Sequence, residues 1–173
     1  MHTQESILAR FKEVGVNDTF GTKKEIKELP NILHDDEIIQ YATSGLMENN
    51  TWLVVCTNTR IIFLDKGMIY GLKQKEIALN KINSIAQKRG LLLGEIHIWD
   101  GADKFQIKNC LKETVQPFVD ATNHAISAFR QSQNSVVSDA QSNYSKIKEL
   151  KELLDMGAIT DEEFQKEKTK LLS

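Results

Sequence analysis

The chain has 173 residues, 22 Lys+Arg against 24 Asp+Glu, and 40% apolar residues. That length fits one domain, or one domain with a small appendage, and can bury a core without disulfides. The near-neutral balance argues against a general nucleic-acid binder, which carries a basic excess, although overall neutrality leaves room for a locally charged face.

Two Cys and no CxxC pair exclude a disulfide framework and zinc or redox work of that kind. The longest apolar run, Trp52 to Cys56, is far short of the ~20 residues of a membrane span. The N-terminus is polar and acidic and lacks the apolar core of a signal peptide. The expectation is a reduced, soluble, cytoplasmic protein.

Residues 3–33 read as two short helices. Thr3 caps the first, whose apolar positions Ile7, Leu8, Phe11 and Val14 recur at helical spacing, and Gly15 stops it. Thr22 and Glu25 have the spacing of a capping box for the second, and Pro30 ends it. From residue 34 the pattern becomes that of strands. Gln40–Ser44, Thr51–Thr57 and Thr59–Leu64 are rich in β-formers, and Glu48-Asn49-Asn50, Thr57-Asn58 and Asp65-Lys66-Gly67 are turns between them. Ile77 and Leu79, Ile82 and Ile85, Ile96 and Ile98, and Phe105 and Ile107 supply the rest. Asp100-Gly101-Ala102-Asp103 marks a hairpin. About seven short strands at this spacing predict an antiparallel sandwich or small barrel.

Residues 114–130 return to helix, with Thr114 as cap, Pro117 in the first turn and Val115, Phe118, Val119, Thr122, Ile126 and Phe129 on one face. This helix is long enough to close the end of a barrel. Residues 131–143, mainly Gln, Ser and Asn, read as a flexible linker, with a frayed extension of the preceding helix as the alternative. Residues 144–173 form a helical hairpin: a stripe of Ile147, Leu150, Leu153 and Leu154, a stop at Gly157, a capping box from Thr160 to Glu163, and an Ile159–Phe164 staple. Some thirty residues are too few to bury this stripe, so it must pair with another copy, dock on the first domain or bind a partner.

Two resemblances follow from these segments. Glu25–Leu33, the acidic turn Asp35-Asp36-Glu37, Thr57-Asn58-Thr59-Arg60-Ile61-Ile62-Phe63, Lys66-Gly67 and Ile77–Ile82 together resemble the bacterial pleckstrin-homology-like (PH-like) domains. The resemblance implies an α+β fold: a seven-stranded antiparallel barrel or orthogonal sandwich closed by the helix at 114–130. The tail, through Gly157-Ala158-Ile159-Thr160 and Glu163-Phe164, resembles the SHOCT module, a short C-terminal domain, and implies oligomerisation or docking. Neither is an enzyme family. The domain reading is residues 1–33, N-terminal helices; 34–130, PH-like domain; 131–143, linker; and 144–173, SHOCT-like hairpin.

The residues themselves give little catalytic chemistry. His2, His34, His97 and His124 are scattered without metal-ligand spacing, Cys56 reads as a buried small hydrophobe, and no Gly-rich phosphate loop exists. Asp35-Asp36-Glu37 reads as a solvated strand entry. No catalytic residue, metal, cofactor or small-molecule substrate is expected.

Two interaction readings remain. Assembly, by self-association or with a protein partner, would use Ile147, Leu150, Leu154, Ile159, Phe164 and Leu171. It also draws on the sheet, where Trp52–Cys56 and Ile61–Leu64 are apolar on both faces, so that N-terminal helices, another subunit or the tail must cover the outer one. His97 and Trp99 could belong to such a surface. The alternative is peripheral binding to anionic lipid. Residues 51–90 carry seven basic side chains against Asp65 and Glu76, with Lys66, Lys73, Lys75, Lys88 and Arg89 as candidate contacts. Phosphoinositide-binding PH domains place basic residues on the first strand and the following loop, whereas Tyr41–Asn50 here has none and carries Glu48.

Overall fold

The computed structural model describes residues 1–16, 19–67, 71–101 and 103–172, with the side chains of 134–143 and 172 outside the description. It divides into two compact units, Met1–Phe129 and Arg130–Ser173.

In the first unit, α1 (Gln4–Glu13) and α2 (Lys23–Ile32) precede seven strands. These are β1 (Ile39–Met47), β2 (Asn50–Thr57), β3 (Arg60–Lys66), β4 (Leu72–Ala78), β5 (Ser84–Arg89), β6 (Leu93–Asp100) and β7 (Asp103–Leu111), followed by α3 (Lys112–Asp155). The strand order is β4-β3-β2-β1-β7-β6-β5. Two antiparallel meanders, β1–β4 and β5–β7, meet where Leu46 of β1 pairs with Lys108 of β7. This is the seven-stranded antiparallel α+β fold that the sequence predicts. Asp100 pairs with Asp103 as expected for a hairpin; Ala102 lies outside the described residues.

Strand alternation sorts the core into two layers. Trp52, Val54, Cys56, Ile61 and Phe63 face Ile96, Ile98, Ile107 and the α3 side chains Val115, Phe118, Val119 and Ile126. Their neighbours Leu53, Val55, Ile62 and Leu64 face the other way, onto Ile7, Phe11, Ile26, Leu29 and Leu33. The outer apolar face is therefore roofed by the chain's own N-terminal helices. At the meander junction Gly45 leaves no room for a side chain: a Cβ there would lie 2.5 Å from Ile107 and 2.8 Å from Cys110.

Thr3 caps α1 through a reciprocal box with Ser6, and Gly15 follows with φ +74°. Four local expectations differ. Thr22 makes no capping bond; its hydroxyl donates to the Thr19 carbonyl, while Glu25 is buried and accepts the Lys66 N–H at 2.7 Å. A tertiary bond has taken the carboxylate that a capping box needs. Pro30 sits inside the last turn of α2, which runs on to Ile32, because a proline near a helix end removes few hydrogen bonds. Thr114 lies inside α3, where its hydroxyl meets that of Thr43 at 2.7 Å and ties helix to sheet. The stretch 131–143 is helical: it extends the preceding helix, the alternative that the sequence left open, and is not a flexible linker. It contains neither Gly nor Pro, and flanking helix on both sides removes the cost of nucleation.

The second unit holds the end of α3 and α4 (Asp161–Leu172). Gly157, with φ +72°, donates its N–H to the Leu154 carbonyl, and Ala158 donates to Leu153, which closes α3.

Candidate functional site

The hairpin turn is built as its punctuation implies. The Glu163 N–H donates to Thr160 Oγ1, and Glu163 Oε2 accepts from the Thr160 N–H at 2.9 Å. These bonds hold the Glu163 carboxyl below its ordinary range. Phe164 is buried, but Ile147, Leu150, Leu154, Ile159 and Leu171 are only half-buried. Leu153 and Met156 are exposed. Of the six side chains assigned to interaction, Phe164 is buried and the other five keep part of their surface in solvent.

The five basic candidates do not form one group. Lys66 pairs with Glu28, Lys75 with Glu48, and Lys73 lies 3.7 Å from Asp65. Lys75 also stands over the Trp52 ring. All three belong to β3 and β4, at one end of the strand order. Lys88 and Arg89 belong to β5, at the other end. There Lys88 is in register with Glu95, and Arg89 donates to the neutral Gln116 Oε1 at 2.6 Å.

A polar cleft of about 710 Å³ opens beside the β1–β2 and β6–β7 turns, lined by Lys75, Lys104 and Lys108 together with Glu48 and Asp103. Lys104 and Lys108 were not among the sequence candidates. Their only local signal is alternation along β7, which any solvent-facing strand shows. Lys104 lies over the Trp99 ring, and Trp99 meets His97 edge-on. His97 bonds Glu95 at 2.9 Å, so these aromatic groups are half-buried in a local cluster.

Asp35-Asp36-Glu37 is only partly the solvated entry that was expected. Asp35 and Asp36 are exposed, but Glu37 is buried. Its carboxylate accepts from Arg60 Nε at 2.9 Å and Nη2 at 2.7 Å, from the His34 N–H and from Thr59 Oγ1. Thr57 Oγ1 lies 3.0 Å away and accepts the Arg60 N–H. The Thr57-x-x-Arg60 motif is therefore a structural clasp on the strand entry. Arg60 also reaches Glu76, so this charge is turned inward.

Cys56 and Cys110 are both buried. Among the described residues, no group of three or more His, Cys, Asp or Glu is placed to hold a metal ion, and no helix is long and apolar enough to cross a membrane.

A family model described as Bacterial PH domain matches residues 33–124, and one described as Short C-terminal domain matches residues 145–172. Two solved structures are similar. One is a DUF1696 family protein with a pleckstrin-homology domain from Shewanella loihica PV-4, 21% identical over 63% of this chain and 96% of that one, TM-score 0.39. The other is a pleckstrin homology domain from Shewanella amazonensis SB2B, 23% identical over 62% of this chain and 96% of that one, TM-score 0.40. No curated protein matches.

Proposed function

The chain belongs to the bacterial PH domain family, and from that premise we propose a non-catalytic assembly protein whose short C-terminal domain ties copies of the chain together. The observation that carries the reading is the incompletely covered stripe of the tail. Ile147, Leu150, Leu154, Ile159 and Leu171 are only partly buried, and Leu153 and Met156 beside them are exposed, in a unit whose turn and α4 cap are formed. A folded hairpin with an unfinished apolar face is suited to a partner with the same need.

Each large apolar side chain fully buried contributes roughly 1.5–3 kcal/mol, so several together offset the cost of association. The sheet does not add to this drive, because its second apolar face is already covered by α1 and α2. The PH-like unit then serves as the platform that the tail gathers.

Size-exclusion chromatography with light scattering tests this. The full chain is expected to exceed monomer mass, and Leu150→Asp with Leu154→Asp to return it to monomer. Monomer mass for both chains overturns the proposal.

A further inference from the structure

The turns β1–β2 and β5–β6 differ in backbone and in residue type. At β1–β2, Glu48 and Asn49 take the left-handed backbone of a two-residue hairpin, with φ +52° and +64°. Both are polar, as such turns prefer. At β5–β6, Gly90 closes the connection by donating its N–H to the Leu93 carbonyl at 2.8 Å, and the tip residues are Leu91 and Leu92. These leucines are 87% and 74% exposed.

The tip is held firmly. The Lys112 N–H donates to the Leu92 carbonyl at 3.2 Å. The flanking glycines are packed so closely that a Cβ at either would lie 2.7 Å from a backbone oxygen. Leu93 and Leu111, also exposed, continue the apolar surface with Leu46 into a groove of about 380 Å³. The tip backbone lies outside the left-handed region and so does not itself select Leu91 or Leu92, and two protruding leucines cost solubility. Apolar side chains held out in solvent on a hydrogen-bonded tip, with no covering contact inside the fold, point to function.

The charges beside the tip select the occupant. Lys88 and Arg89 enter the turn, and Lys112 is bonded to it; all three are exposed. Arg89 bonds only the neutral Gln116 among the contacts described, so its charge is not cancelled there. The nearby acids are Glu113, exposed beside Lys112, and Glu95, whose carboxylate accepts from His97 and Gln106. Convex apolar side chains ringed by cations match a bilayer, whose headgroups meet the cations while the acyl boundary takes the leucines.

We propose that the β5–β6 tip, Leu91 and Leu92 with Lys88, Arg89 and Lys112, inserts into the surface of an anionic lipid bilayer. The contact goes beyond assembly by the tail and does not depend on it. It also sets Arg89, bonded to the neutral Gln116, apart from Lys66, Lys73 and Lys75, which lie beside acids of their own, as Lys88 does beside Glu95.

Vesicle flotation of the full chain tests it, using phosphatidylcholine vesicles with and without phosphatidylglycerol. The test variant is Leu91→Ser with Leu92→Ser, which removes the two exposed apolar side chains without calling for a new backbone conformation and is expected to keep the parent melting temperature. The parent chain should float with phosphatidylglycerol vesicles alone, and raised salt should weaken this. In the variant, binding should fall by about tenfold or more, since both apolar anchors are gone. Failure of the parent to float, equal flotation without phosphatidylglycerol, or unchanged binding by the variant overturns the proposal. So does a fall in oligomeric mass of the variant in the absence of lipid, which would make the leucines a contact between copies. A loss of assembly in the tail variant with flotation intact would separate the two proposals.

Discussion

Glu37 and Arg60 form a two-pronged ion pair, 2.7 and 2.9 Å long, across the entry to the sheet, and the Glu37 side chain has no exposed surface. Burial alone would push the Glu37 carboxyl up. Hydrogen bonds from Arg60, the His34 N–H, Thr59 and Thr57 outweigh it and bring the carboxyl down from 4.5 to about 2. A carboxyl lowered by folding contributes stability that is fully present above its unfolded value and is lost as pH falls through the folded one. The loss should therefore run from pH 4.5 toward 2. Glu37→Gln should cost about 3 kcal/mol at neutral pH, because Arg60 loses its main partner, and should flatten the acid dependence. Urea unfolding at neutral pH and inside that window checks both; a variant as stable as the parent at neutral pH would contradict this.

Gly45→Ala should be among the most damaging single-atom additions in the sheet. Its Cβ has no room against Ile107, Cys110 and the Lys108 carbonyl, and it sits beside the pair that joins the two meanders. Overpacking of this kind costs about 1–3 kcal/mol. Thermal melting should show a clear drop, whereas alanine at Gly101, whose Cβ would meet nothing within 4 Å, should cost less despite its φ of +60°.

Leu29→Ala should cost about 2–5 kcal/mol, since the side chain is fully buried between α2 and the outer sheet face. It should also raise binding of a hydrophobic dye, because the lost volume lies over Ile62 and Leu64. Full retention of stability would mean that α2 is not needed as a roof.

Cys56 should be inert in the native chain. Burial pushes its thiol up to about 12, so almost no thiolate exists at neutral pH. Modification by a thiol reagent should follow the unfolding rate and become immediate in denaturant. Rapid labelling of Cys56 under native conditions would contradict its burial.

Thr160→Ala should loosen α4 by about 1 kcal/mol, the usual worth of a helix cap, while leaving melting of Met1–Phe129 unchanged. Hydrogen exchange resolved by residue would separate the two effects; equal loosening of β1–β7 would show that the units are energetically coupled.

Much of the strand plan is readable from local alternation. In Trp52–Cys56 and Ile61–Leu64 every side chain is apolar, and the pattern states that both faces are covered. It does not state by what, since that depends on how α1 and α2 return over the sheet. Glu37 was hidden for a similar reason. Three adjacent acids look solvated, and the arginine that buries the third lies 23 residues further on. Glu25 shows the converse error, in which correct capping-box spacing is overruled by the distant Lys66 N–H. The Thr160–Glu163 box was legible because both partners are local and nothing else competes for them. The basic residues at 51–90 were countable, but their division between two ends of the strand order was not.

The roof formed by α1 and α2 lies entirely before residue 33, where the match to the bacterial PH domain begins. The boundary of homology and the boundary of folding therefore differ. Excision at residue 33 would leave Leu53, Val55, Ile62 and Leu64 facing water on a ready-made sheet. A fragment cut to the family's outline would be prone to aggregate, and its behaviour in solution would say more about the cut than about the protein.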